Sequence, residues 1–180
     1  MPLVEKRYAE ALVDLSVQQN AIQLYKHELQ SVADVFDRQE DFRLFLLNPE
    51  ITTGVKKDLI KTIFEGSIKT ELMNFLLLLL DKHRIKYLPG IAEVFMTLAD
   101  ERSNILNLTI VTSELLESSQ VDMIKEKYRI IYNAAAVKAN MKIDRKVIGG
   151  VKIIIGDKVI DGTLKGRLEN LKSFIVNKNN

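Results

Sequence analysis

The sequence predicts an N-terminal all-α six-helix bundle followed by a small α+β C-terminal domain, and three observations carry that reading. Apolar residues return at helical spacing from residue 4 to about 104, the period falls to two after Arg102, and turn-forming residues separate the periodic runs. The two patterns meet near residue 105, so the expected domains are 1–105 and 106–180.

In the first half, Val4, Tyr8, Ala11, Leu12 and Leu15 mark one face of a first helix, and Ile22, Tyr25, Leu29, Val32 and Phe36 mark a second that starts near Asn20. A short third helix over 41–47 stops at Asn48-Pro49, because proline disfavours helical geometry in its predecessor. Thr52 or Thr53 is placed to cap a fourth helix carrying Val55, Leu59, Ile60 and Ile63, which ends at Gly66. The fifth, over 69–83, sets Leu72, Phe75, Leu76 and Leu79 on one face, with Met73, Leu77, Leu78 and Leu80 over much of the remaining circumference. A helix that apolar must be covered on several sides, by its own bundle or by another chain. A sixth follows Pro89-Gly90, with Ile91, Val94, Phe95 and Leu98 in register.

In the second half, Leu106, Leu108 and Ile110 alternate with polar residues as in a strand, and Val137, Ala139, Met141 and Ile143 do so again. Leu116, Val121, Ile124, Tyr128 and Ile131 form the apolar face of one helix between them. Gly149-Gly150 opens a strand from Val151 to Ile155, Gly156-Asp157 turns it, and Lys158 to Ile160 returns as a hairpin. A last helix is expected from Thr163 to about Val176, capped by Asp161 or Thr163. The order of elements implies a sheet covered by helices on one side.

Composition excludes several classes of function. With no cysteine there is no disulfide or thiolate site, and His27 and His83 lack ligand-spaced partners, so neither a metal nor a cofactor is expected. No P-loop or nucleophile-elbow spacing occurs, and Asp157 and Asp161 read as a turn residue and a cap rather than a catalytic pair. Catalysis is not expected. The longest apolar run, Phe75 to Leu80, is far shorter than the roughly 20 residues needed to span a bilayer, so no direct membrane insertion is expected. The N-terminus lacks the pattern of a secretory signal, which places the chain in the cytoplasm. Residues 1–105 hold 13 Lys and Arg against 16 Asp and Glu, a net of −3, whereas residues 106–180 hold 13 against 8, a net of +5. That asymmetry raises an alternative, a basic nucleic-acid-binding module using Lys138, Lys142, Lys152 and Lys158 on one sheet surface. The scarcity of aromatics in that half argues for a solvated lysine face and against nucleic acid.

The most specific stretch is VIGGVKIIIGDKVIDGTLKGRLENLKSFIV, residues 147–176. Its Gly149, Gly150, Gly156, Asp157, Asp161, Thr163, Leu164, Leu168 and Leu171, together with Arg7-Tyr8-Ala9-Glu10-Ala11-Leu12 near the N-terminus, resemble the delta subunit family of bacterial F-type ATP synthases, called OSCP in mitochondria. Thr163 stands where serine is commoner and keeps the capping hydroxyl. The resemblance spans essentially the whole chain. It implies a non-catalytic stator subunit that links the catalytic head to the peripheral stalk so that rotation is coupled to ATP synthesis, held peripherally on the cytoplasmic side of the cell membrane within the complex. It further implies that the bundle grips the N-terminal segment of an alpha subunit between its first and fifth helices, with Ala9, Leu12, Val13 and Ser16 facing Met73, Leu76, Leu79 and Leu80. The C-terminal domain would contact the C-terminal region of the b subunits.

Overall fold

The computed structural model describes residues 3–166 and 168. Its contacts divide the chain into two units, the first ending at Ala99 and the second beginning at Asp100.

The first unit contains α1 (Leu3–Gln18), α2 (Ile22–Arg38), α3 (Glu40–Leu47), α4 (Thr53–Phe64), α5 (Thr70–Asp81), a 3₁₀ turn at Ile85–Tyr87 and most of α6 (Leu88–Arg102). One core joins them. Tyr25 and Leu29 from α2, Leu72, Leu76 and Leu79 from α5, and Ile91 and Phe95 from α6 are fully buried in it. Each such side chain contributes roughly 1.5–3 kcal/mol through the apolar area it removes from water.

The helix ends follow local chemistry, with two departures from the sequence reading. Thr52 is the N-cap residue of α4 but its hydroxyl makes no capping bond. The start of α5 is instead tied down by Glu28, a buried carboxylate that accepts the Lys69 N–H at 2.9 Å. Helix α6 begins one residue before Pro89, because a proline in the first turn sacrifices an N–H that has no intrahelical partner anyway. Left-handed closures at Asn20, His83, Asn104 and Asn133 supply the helix stops for which no glycine is present. At His83 the next N–H, that of Arg84, bonds back to the Leu79 carbonyl at 2.7 Å.

The second unit is a four-stranded sheet, ordered β2-β1-β3-β4, from β1 (Ile105–Thr112), β2 (Ala136–Ile143), β3 (Val151–Ile155) and β4 (Lys158–Asp161). Strand β1 is parallel to β2, through the crossover helix α7 (Ser118–Tyr132), and antiparallel to β3. Register places Leu106 beside Val137, Leu108 beside Ala139 and Ile110 beside Ile153. These residues pack with Val121, Ile124 and Tyr128 of α7, giving the expected helix-covered face. Ile131, assigned by spacing to that same face, is exposed, as are Ile130 and Met123. A reciprocal capping box between Glu117 and Gln120 starts α7.

The second unit begins ahead of its first strand because Asp100, almost fully buried, accepts hydrogen bonds from Lys138 Nζ at 2.9 Å and Asn107 Nδ2 at 3.1 Å. The lysines do not form the single basic face envisaged for nucleic acid. Lys138, Lys142 and Lys152 share one sheet face, but Lys158 pairs with Ile155 in β3 and belongs to the other. Lys138 and Lys152 also meet Asp100 and Asp161.

Candidate functional site

Helices α1 and α5 run antiparallel, linked by a ring contact between them and by side chains at both ends. The Tyr8 ring meets the Phe75 ring edge-on with centroids 6.1 Å apart, and the Arg84 guanidinium sits 5.6 Å from the centre of the Tyr8 ring. At the other end Gln19 donates to the Glu71 carboxylate at 2.9 Å, and the Tyr25 hydroxyl donates to Gln19 at 3.0 Å. The backbone N–H of Glu71 at the helix start, then the Gln19 amide, hold the Glu71 carboxyl below its usual range. Burial, followed by the negative charge of Glu71 and Glu28, pushes the Tyr25 hydroxyl up. Val4, Tyr8, Ala11 and Leu15 recur along the α1 flank of this seam, and Glu71, Phe75 and Leu78 along the α5 flank. Both stripes keep apolar surface at the solvent boundary, with Leu78 43% exposed.

The glycine-rich motif of the second unit serves structure. Gly149 and Gly150 have φ of +62° and +80°, and a Cβ on Gly150 would come within 2.6 Å of the Gly162 carbonyl oxygen. Backbone packs on backbone there, and the Leu164 N–H reaches the Gly149 carbonyl at 3.3 Å. Across the hairpin Ile155 faces Lys158, and φ is positive at Gly156 but not at Asp157, the signature of a type II′ turn. Thr163, 4% exposed, is the cap of the helix that follows, its hydroxyl accepting the Gly166 N–H at 3.1 Å. Asp161 orients that cap by accepting both the Thr163 hydroxyl (2.6 Å) and the Thr163 N–H (2.9 Å).

Those two Thr163 hydrogen bonds, then the Lys152 ammonium, hold the Asp161 carboxyl below the ordinary aspartate range. A carboxyl depressed by folding stabilises fully above its unfolded pKa of about 3.9, and that contribution fades as pH falls through the lower folded value. Asp161→Asn is therefore expected to lower the stability of the second unit at neutral pH and to flatten its decline in acid. An acid limb of unchanged steepness in urea titrations at stepped pH would remove Asp161 from this role.

A family model described as ATP synthase delta (OSCP) subunit matches residues 4–175. The chain belongs to that family. It is 46% identical to the ATP synthase subunit delta of Acetivibrio thermocellus over 99% of this chain and 100% of that one, and 40% identical to that of Ruminiclostridium cellulolyticum over 97% and 99%. A chain of the Toxoplasma gondii mitochondrial ATP synthase hexamer has the same fold, with TM-score 0.73 over 98% of both chains and 21% identity. The chain is accordingly a non-catalytic stator subunit of an ATP synthase, and its partners are components of that complex.

Among the described residues of this delta-family chain there is no cluster of three or more metal-ligating side chains and no helix long and apolar enough to cross a membrane. Both histidines are exposed. The chemistry available is that of surface and groove.

Of the eight residues assigned by resemblance to the α1/α5 groove, Ala9, Leu12, Val13, Ser16, Leu76, Leu79 and Leu80 are buried in the bundle core, and Ser16 satisfies its hydroxyl on the Val13 carbonyl at 2.7 Å. Met73 is half-buried, on the flank of α5 away from Phe75. The structure thus brings Ala9, Leu12, Val13, Ser16, Leu76 and Leu79 together beneath the seam, with Tyr8, Leu15, Phe75 and Leu78 at its surface, whereas Leu80 lines a second concave surface beside the α3–α4 connection. The signal that would have found these four is the i, i+4, i+7 stripe on each helix. In the second unit Leu164 and Leu168 are exposed, and Leu171 lies outside the described residues, with most of the helix expected over 163–176.

Proposed function

We propose that this subunit fastens the catalytic head to the peripheral stalk by seating the N-terminal segment of an alpha subunit along the α1/α5 seam and by holding the C-terminal region of the b subunits on its second unit. The observation that carries the first contact is the apolar lip of Tyr8, Phe75 and Leu78 above a closed core, a surface suited to the apolar face of an amphipathic helix. Glu71 and Arg84 mark its two ends with opposite charge and fix the direction in which such a helix lies. The subunit works on the cytoplasmic side of the membrane, held there by the complex. Its load is mechanical, so slow dissociation matters more than fast association, and a nanomolar complex corresponds to about −12 kcal/mol.

Calorimetric titration of the full chain with a synthetic peptide of the alpha-subunit N-terminus is the test. Tight binding is expected for the native chain. For Leu78→Asp, which introduces charge at an exposed position, affinity is expected to fall at least about tenfold, or 1.4 kcal/mol, with the melting temperature preserved. Equal affinity in both chains would place the alpha contact elsewhere.

A further inference from the structure

The first unit carries a second concave surface, between the α3–α4 connection and the turn after α5, with a volume of about 380 Å³. Its apolar wall comes from Leu46, Leu47, Ile51 and Ile85, and Lys56, His83 and Lys86 stand around it. No acidic side chain lines it. That is unusual for its surroundings, because the half of the chain containing it has 16 acidic residues against 13 Lys and Arg. Asp81, at the end of α5, is 2.6 Å from Lys57 and so has its charge answered there. Apolar surface also continues outward, since Leu47 and Leu44, one turn earlier on α3, are both exposed, as is Val55 beside Lys56 on α4.

We propose that this groove is a second peptide-docking site, separate from the α1/α5 seam, and that its occupant is an amphipathic segment with acidic side chains beside its apolar face. Charge complementarity selects that partner: Lys56 and Lys86, with no carboxylate among the lining side chains, attract an acidic chain and repel a basic one. The size of the cavity suits two or three side chains. The exposed Leu44–Leu47 row continues past it along α3, in the manner of a helix-binding groove rather than an enclosed small-molecule site.

The test uses the full chain and two synthetic amphipathic peptides of identical leucine spacing, one with glutamate and one with lysine on the polar face. Backbone NMR shifts on adding the glutamate peptide are expected to move at Leu47, Lys56 and Lys86, also in a Leu78→Asp background that disables the seam. The lysine peptide is expected to leave them unmoved. The double variant Lys56→Glu, Lys86→Glu is expected to weaken glutamate-peptide binding at least about tenfold with an unchanged melting temperature. The proposal is overturned if the shifts are confined to α1 and α5, if no shifts occur, or if the double reversal binds as tightly as the native chain. Concentration-dependent self-association abolished by the same double reversal would overturn it too, by assigning the groove to a second copy of the chain.

Discussion

Leu79→Asp is expected to abolish cooperative folding of the helical unit, whereas Leu78→Asp, one residue away on the same helix, is expected to leave it folded. Leu79 is 0% exposed, within the cluster formed with Leu72, Leu76, Phe95 and the α1 residues Leu12 and Val13, while Leu78 is 43% exposed. Removing a buried leucine costs about 2–5 kcal/mol through lost transfer energy and the cavity left behind. A carboxylate in its place adds several kcal/mol more, because burial in an apolar cluster strips the water that solvates it. Together these reach the lower part of the roughly 5–15 kcal/mol that holds a domain folded. Circular dichroism should show the loss of much of the helical signal for Leu79→Asp, and amide exchange should show lost protection throughout α1 to α5. Melting of Leu79→Asp within a few degrees of the native chain would mean that α5 is not packed in this register. The pair also separates folding from binding, since only the Leu78 variant tests a surface on a folded protein.

Gly150→Ala is expected to destabilise the second unit by about 2–5 kcal/mol, from two separable causes. An L-residue at φ +80° carries roughly 1–2 kcal/mol of backbone strain, and the new methyl would stand 2.6 Å from the Gly162 carbonyl oxygen and 3.0 Å from Thr163 Cα. Since backbone and not a flexible side-chain tip is in the way, relief requires moving the Gly162-Thr163 segment, at about 1–3 kcal/mol for overpacking. That segment holds the cap of the terminal helix, so the hydrogen bond between Gly166 N–H and the Thr163 hydroxyl is expected to weaken as well. Gly66→Ala separates the causes: φ there is +75° but nothing lies within 4 Å of the added carbon, so only the strain should appear. Denaturant titrations of the two variants that gave equal losses would show that the contact at Gly150 relaxes freely.

Both outcomes turn on facts of different legibility. The change from period 3.6 to period two places the helical and mixed units in the sequence, because a core-facing helix and a half-covered strand impose different spacings on apolar residues. The Gly149-Gly150, Gly156-Asp157 and Asp161-x-Thr163 positions are equally readable, since positive φ and capping restrict which residues serve. The helix stops at Asn20, Asn104 and Asn133 are legible in principle from the asparagines that follow amphipathic runs, but asparagine also fits many loops and marks no stop on its own.

The groove is less legible in the sequence, for a reason visible in α5. Leu72, Leu76, Leu77, Leu78, Leu79 and Leu80 are chemically alike, so local sequence shows that the helix is apolar on nearly every side and not which side its neighbours cover. Burial is a property of what lies opposite, and that is set by residues distant in the chain: Tyr8 against Phe75, Gln19 against Glu71, Glu28 against the Lys69 N–H. The charge asymmetry likewise suggested one lysine face until β-pairing put Lys158 on the opposite side of the sheet from Lys152.

The sequence by itself determined the two-part architecture, the order of its elements, the absence of recognisable catalytic spacings and the turn and cap chemistry of the C-terminal motif, because spacing and backbone conformation are local. Only the tertiary structure decided which leucines of α5 are core and which are surface, where the α1/α5 seam opens, and that Lys56 and Lys86 line a groove beside the α3–α4 connection with no acidic side chain among its lining residues. Those are matters of which surfaces meet, and free energy of burial is assigned only when they do.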